Sequence, residues 1–116
     1  MSECLFCRIA TGAIPTPLLW SDDEFVAFRD IAPRAPVHLL VVPRRHLDSV
    51  AALADEDPAY AGRFVRAAVA VARQEGLDDP KRGFRLVANT GPEGGQSVFH
   101  LHAHLLGGRR LGWNPD

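Results

Sequence analysis

Three histidines, His100, His102 and His104, stand at every second position near the end of the chain, separated by Leu101 and Ala103. A β-strand alternates its side chains with period two. This spacing therefore sends all three imidazoles to one face and Leu101, Ala103 and Leu105 to the other, where they can pack on a helix. Thr, Lys and Arg would serve a merely solvated face as well, so a face built of imidazoles points to chemistry. Two readings are open. One is a zinc site of the H-x-H kind, since neutral imidazoles are good ligands. The other is catalysis in which one imidazole attacks and another protonates a leaving group. No Asp or Glu follows closely to complete a catalytic metal shell, and the preceding loop favours the second reading. Gly94-Gly95-Gln96-Ser97 offers backbone N–H groups and a hydroxyl, the donors a phosphoryl group requires.

The rest of the chain supplies a sheet for such a strand. Residues 4–11 suit a short helix with Leu5, Phe6 and Ile9 on one side, stopped by Gly12 and Pro15. Residues 18–20 and 24–31 read as strands joined at Ser21-Asp22-Asp23. The prolines Pro33 and Pro36 exclude the next segment from a ladder. Residues 37–42 form an apolar run fit for a strand covered on both faces. Residues 58–75 carry the long helix, with Phe64, Ala68 and Val71 beside Val65, Val69 and Ala72 as its apolar stripe and Gly76 as its stop. Strands at 84–90 and about 99–106 follow, around the Gly-rich loop. The expected fold is α+β: one domain over residues 1–116, an antiparallel five-stranded sheet, one long helix and a short N-terminal helix.

Composition narrows the function. The 116 residues carry 13 basic and 14 acidic side chains, which argues against non-specific binding to nucleic acid. With 47% hydrophobic residues the chain is too apolar to be disordered, and no apolar stretch reaches the roughly 18 residues of a membrane span. Met1-Ser2-Glu3-Cys4 lacks the basic and apolar regions of a signal peptide, so a soluble cytoplasmic protein without a membrane partner is expected. Cys4 and Cys7 are the only cysteines. In a reducing compartment their C-x-x-C spacing marks a metal half-site or a redox pair. No βαβ pattern surrounds them, which disfavours the redox reading.

The segment from Gly94 through His100-Leu101-His102-Ala103-His104-Leu105-Leu106 resembles the signature of the histidine triad (HIT) family. The resemblance covers nearly the whole chain. Phe28-Arg29-Asp30-Ile31-Ala32-Pro33, Val37-His38-Leu39-Leu40, Arg45-His46-Leu47, Val87-Ala88-Asn89 and the tail from Gly107 to Trp113 match its upstream and downstream blocks. The pattern is most similar to the Hint branch, whose members are purine nucleoside phosphoramidases.

This resemblance implies a fold and a set of roles. His102 would attack the α-phosphorus and form a nucleotidyl-histidine intermediate. His104 would contact the phosphate and assist proton transfer to the leaving amine, and His38 would complete a proton relay behind the nucleophile. Asp30 would accept from the ribose hydroxyls. Asn89 and Ser97, with Gly95 and Gln96 of the loop, would hold the phosphate. Phe6, Ile9, Phe28, Ile31 and Leu40 would form the purine slot. Trp113 would reach a partner subunit's site in a homodimer with a continuous sheet. A departure stands at Arg29, where Hint relatives often carry histidine, so ribose-side contacts there would differ.

The resemblance also implies a structural zinc held by Cys4, Cys7, His46 and His100, with no organic cofactor. Two thiolates and two imidazoles close a tetrahedral shell. His100 would then be a ligand and not an acid or base. Arg44-Arg45 reads as a solvated corner. Three rival functions stay open: a dinucleoside polyphosphate hydrolase of the same superfamily, a catalytically vestigial nucleotide-binding protein, and a metallohydrolase using the triad as ligands.

Overall fold

The computed structural model describes residues 4–113; residues 1–3, part of the stretch read for a signal peptide, and residues 114–116 of the tail lie outside them. Helix α1 (Leu5–Thr11) starts where the Cys4 thiol accepts the Cys7 N–H at 3.3 Å. It stops at Gly12, whose φ of +85° suits glycine. Its buried stripe is Phe6, Ile9 and Ala10, and Leu5 falls off the edge of that stripe into solvent.

The strands are β1 (Trp20–Ser21), β2 (Phe25–Arg29), β3 (Val37–Pro43), β4 (Phe84–Val87) and β5 (Ala103–Gly107). They form one sheet in the order β1-β2-β3-β5-β4 with every neighbouring pair antiparallel. The α+β expectation and the five strands are therefore met, with strands shorter than expected at four places. β1 is only two residues long, β2 runs only from Phe25 to Arg29, β4 ends at Val87, and β5 begins at Ala103. His100 and His102 thus precede the last strand. Their segment is held by other bonds, notably Leu101 N–H to the Leu47 carbonyl at 2.6 Å. Alternation of faces survives outside the ladder, because Leu101, Ala103 and Leu105 all enter one core.

Period-two alternation divides the sheet between two apolar layers. Phe25, Ala27, Leu39 and Val41 pack with Phe64, Ala68, Val71 and Ala72 of α3 (Pro58–Gln74). Val26, Phe28, Leu40 and Val42 pack with Phe6, Ile9 and Ala10 of α1. Both faces of β2 and β3 are covered, which explains their nearly unbroken apolar sequence. α3 starts at Asp57, whose carboxylate accepts the Ala59 N–H, with Pro58 in the first turn. It ends at Gly76, where Leu77 N–H reaches the Ala72 carbonyl and Gly76 N–H the Arg73 carbonyl. Ala67 and Tyr60 complete its buried face, whereas Val65 is exposed. A four-residue helix, α2 (Val50–Leu53), is capped by Ser49 and is too short to leave a periodic signal.

Arg44 is a clamp: its guanidinium donates to the Asp22 and Ala10 carbonyls and to Ser21 Oγ, tying α1 to the β1–β2 turn. Arg45 pairs with Glu56 and lies over the Tyr60 ring.

Candidate functional site

β3 and β5 place Leu40 opposite His104 and His38 opposite Leu106, so the two histidines sit diagonally on the α1 face of the sheet. His38 Nε2 lies 2.9 Å from His104 Nδ1. The loop between β2 and β3 decides which atom carries the proton. Arg34 N–H donates to His38 Nδ1 at 3.0 Å, so a neutral His38 holds its hydrogen on Nε2 and gives it to His104. His104 Nδ1 is then the acceptor, and its own hydrogen is on Nε2. Asp30 Oδ2 stands 3.4 Å from His38 Nε2, while Asp30 Oδ1 is fixed by the Ala32 N–H at 2.8 Å.

His102 is set by a different bond. Its Nδ1 lies 2.8 Å from the His100 carbonyl, an obligatory acceptor, so Nδ1 carries the hydrogen and Nε2 keeps its lone pair. The His102 and His104 rings are 5.0 Å apart at 62°. Phe6 meets the His102 ring edge-on at 5.0 Å and the His100 ring at 6.0 Å.

These rings open on a cleft of about 530 Å³ lined by Asp30, His38, Asn89, Gly94, Gly95, Ser97, His102 and His104, with Glu93 and Arg34 at its margin. Burial lowers the pKa of His38 below the ordinary value; Asp30 opposes that and Arg34 adds to it. His104 is lowered to about 4, first by burial and then by His102 and His38, against Asp30. Both rings are therefore neutral at neutral pH, and the cleft holds a lone pair on one imidazole beside an N–H on the next. Asp30, His38 and His104 also bring three donor atoms within 4.8 Å of one another. A metal there would need the His38 Nε2 lone pair, which the Arg34 N–H at Nδ1 denies it. These contacts join the Arg34 N–H, His38 and His104 in one hydrogen-bonded chain.

On the far side of His102 is a second cluster. The donor atoms of Cys4, Cys7, His46 and His100 all lie within 4.8 Å of one another. His100 Nδ1 is 3.2 Å from Cys4 Sγ and 3.4 Å from Cys7 Sγ, and His46 Nδ1 is 3.4 Å from Cys7 Sγ. A tetrahedral zinc with Zn–S of ~2.3 Å and Zn–N of ~2.0 Å places S and N about 3.5 Å apart. The rings are already turned for it. His100 Nε2 donates to the Pro43 carbonyl at 2.8 Å and His46 Nε2 to Asp48 Oδ1 at 3.0 Å, which leaves both Nδ1 lone pairs toward the thiols. Burial also lowers the pKa of His100, opposed by its bond to Pro43. The residues fit the ion.

The HIT domain family matches residues 11–111. The chain belongs to the HIT family. An uncharacterised HIT-like protein of Synechococcus elongatus is 47% identical over 116 residues, 99% of each chain. A 14 kDa zinc-binding protein of Brassica juncea is 42% identical, covering 97% of this chain and 99% of its own. The crystal structure of a HIT family hydrolase from Legionella pneumophila superposes with a TM-score of 0.90 at 43% identity, covering 98% of this chain and all of that one.

Not every residue singled out in this HIT chain lines the cleft. Gln96 is buried, and its side chain serves neighbouring backbone. Of the loop amides, Gly95 N–H is engaged by the Pro92 carbonyl and Gln96 N–H by the Gly91 carbonyl. Phe6, Ile9, Phe28 and Leu40 are packed together behind the cleft, whereas Ile31 and Trp113 are almost fully exposed. Arg29 is on the α3 side of the sheet, 3.8 Å from Glu75. Two residues of the HIT site went unread in the sequence. Asp48 orients His46, and its H-x-D spacing is a legible signal. Arg34 acts through its backbone, which leaves none.

Proposed function

We propose that this protein is a purine nucleoside phosphoramidase of the Hint-like branch, a nucleotide-binding hydrolase that cleaves the P–N bond of nucleoside 5′-phosphoramidates. The observation that carries this reading is the fixed tautomer of His102, Nδ1–H on the His100 carbonyl, which aims an imidazole lone pair into a cleft furnished with polar donors. Nε2 of His102 attacks the α-phosphorus, and the P–N bond breaks as the N–P bond to histidine forms. The departing nitrogen is protonated from solvent in the open cleft and leaves as the neutral amine, while the Nε2–H of His104, whose other nitrogen is held by the His38 N–H, bonds a phosphoryl oxygen. Water then attacks phosphorus, the N–P bond to His102 breaks, and the water's proton returns to solvent as the nucleoside monophosphate leaves.

Asn89, Ser97 and the Gly94 N–H hold the phosphoryl oxygens, with Gly95 shaping the turn that presents them. Asp30 Oδ2 accepts from the ribose hydroxyls, a role suited to an acceptor-only group. The packed Phe6, Ile9, Phe28 and Leu40 back the purine, and Ile31 forms its outer lip. Cys4, Cys7, His46 and His100 hold a structural zinc ion, a reading supported by the name of the Brassica juncea relative. A shell of four protein ligands leaves no position for water, so the ion supplies rigidity and no chemistry. We further propose a cytoplasmic homodimer: β4 is a sheet edge with Leu86 exposed, and Trp113 is available to a partner.

The test is AMP release from adenosine 5′-phosphoramidate by the wild type and by His102→Gly. Turnover by the wild type alone supports both reaction class and nucleophile. An active His102→Gly protein sinks the mechanism. AMP binding without turnover moves the assignment to dinucleoside polyphosphate hydrolysis or to binding alone.

A further inference from the structure

Gln96 sits inside the Gly-rich loop, yet it does not line the cleft and is only 5% exposed. Its Oε1 accepts the Gly91 N–H at 2.9 Å, at the start of the loop. Its Nε2 donates to the Val98 carbonyl at 3.1 Å, at the loop's end, and to the Asp48 carbonyl at 2.6 Å. Asp48 belongs to the other cluster, because its carboxylate receives His46 Nε2–H at 3.0 Å. One unbroken path of bonds thus runs from the Cys7–His46 contact through Asp48 and Gln96 to both ends of the segment that presents Gly94, Gly95 and Ser97. No other side chain is bonded to both ends of that loop among the described residues.

We infer that Gln96 is a positioning residue for the phosphate site, and that it transmits the state of the Cys4/Cys7/His46/His100 corner to the loop. This rests on the nucleotide and zinc readings above and adds to them a residue that touches neither ligand. With Asp48 and His46 held, Gln96 pins the loop at three points. With the corner open, the Asp48 carbonyl can shift and the loop loses its anchor. The dependence is specific to the phosphate, because the ribose and base contacts lie on β2, β3, the loop between them and α1, and the Arg44 bond to Ala10 and the packing of Phe6, Ile9 and Ala10 hold α1 to the sheet apart from the corner.

The experiment is calorimetric titration with AMP and with adenosine of the wild type, Gln96→Ala and Gln96→Glu, each zinc-loaded and after chelation. Gln96→Glu keeps the volume and the acceptor and deletes the donor, so it serves if the alanine variant does not fold. Either variant should weaken AMP about tenfold, a typical coupling between linked sites, and leave adenosine unchanged. Chelating the wild type should produce the same selective loss, and chelating the variant should add little, since both changes cut one path. Three results overturn the inference: a folded variant with the wild-type AMP-to-adenosine ratio, equal losses for AMP and adenosine, or losses from variant and chelation that multiply. A zinc-loaded wild type that binds neither ligand refutes the nucleotide reading itself, and this inference with it.

Discussion

Replacing His104 with Asn should flatten part of the acid sensitivity of folding. In the folded protein the His104 pKa falls from 6.5 to about 4, with burial as the first cause. The unfolded chain therefore takes up this proton first as pH drops. Stability is full above the unfolded value, declines as pH falls from about 6.5 toward about 4, and levels off below the folded value. The shift corresponds to about 3 kcal/mol at ~1.36 kcal/mol per unit. Solvent in the open cleft screens the ring, which reduces the effect to about 1–2 kcal/mol. Urea denaturation of zinc-loaded wild type and His104→Asn at about pH 7 and about pH 5 reads it, with roughly 1 kcal/mol of extra loss in the wild type at the lower pH. The Cys4/Cys7/His46/His100 corner is the same in both proteins, so the difference isolates the buried pair. His38 is lowered as well, and the measured change belongs to the two rings together. Equal acid losses in the two proteins would refute the reasoning. So would an NMR spectrum showing His104 with its hydrogen on Nδ1.

Chelation of the native protein should lower its melting temperature, because the corner ties α1 to His100, and should lower its AMP affinity through Asp48 and Gln96, while the Arg44 bond to Ala10 and the packing of Phe6, Ile9 and Ala10 keep α1 on the sheet; calorimetry that finds both unchanged would count against the zinc reading. Asp30→Ala should remove most of the discrimination between AMP and 2′-deoxy-AMP, by about tenfold, as expected for one hydrogen bond to a charged group. Gly94→Ala places a methyl 2.3 Å from the Thr90 carbonyl oxygen, so the loop must move and AMP binding should fall more than thermal stability does. Gly76→Ala, at φ +76° beyond the end of α3, should cost about 1 kcal/mol in denaturant melts without changing nucleotide affinity.

Much of this site is visible before folding because its signals are local. The period-two spacing of His100, His102 and His104 already separates the imidazoles from Leu101, Ala103 and Leu105, whether or not a ladder forms. The apolar run at 37–42 announces a strand covered on both faces, as β3 is. Boundaries were less legible. Strand ends depend on a neighbour's hydrogen bonds, and the chain from 99 to 102 is diverted by the Leu47 carbonyl and the metal corner, neither of which is near in sequence. The same holds for Gln96. Its place in a Gly-rich loop suggests a ligand contact, but burial turns it into a brace.

The sequence alone determined the chemical inventory: three alternating imidazoles, a C-x-x-C pair, a loop of small donors and a pattern of apolar residues that can build one sheet with a helix on each face. Tertiary structure decided what each imidazole does. The side chains of His38, His100, His102 and His104 are chemically identical, and each acquires its role from the partner at its second nitrogen. Those partners are the Arg34 N–H, the Pro43 carbonyl, the His100 carbonyl and the His38 N–H. Three of the four involve backbone atoms, which carry no residue identity for a sequence to display.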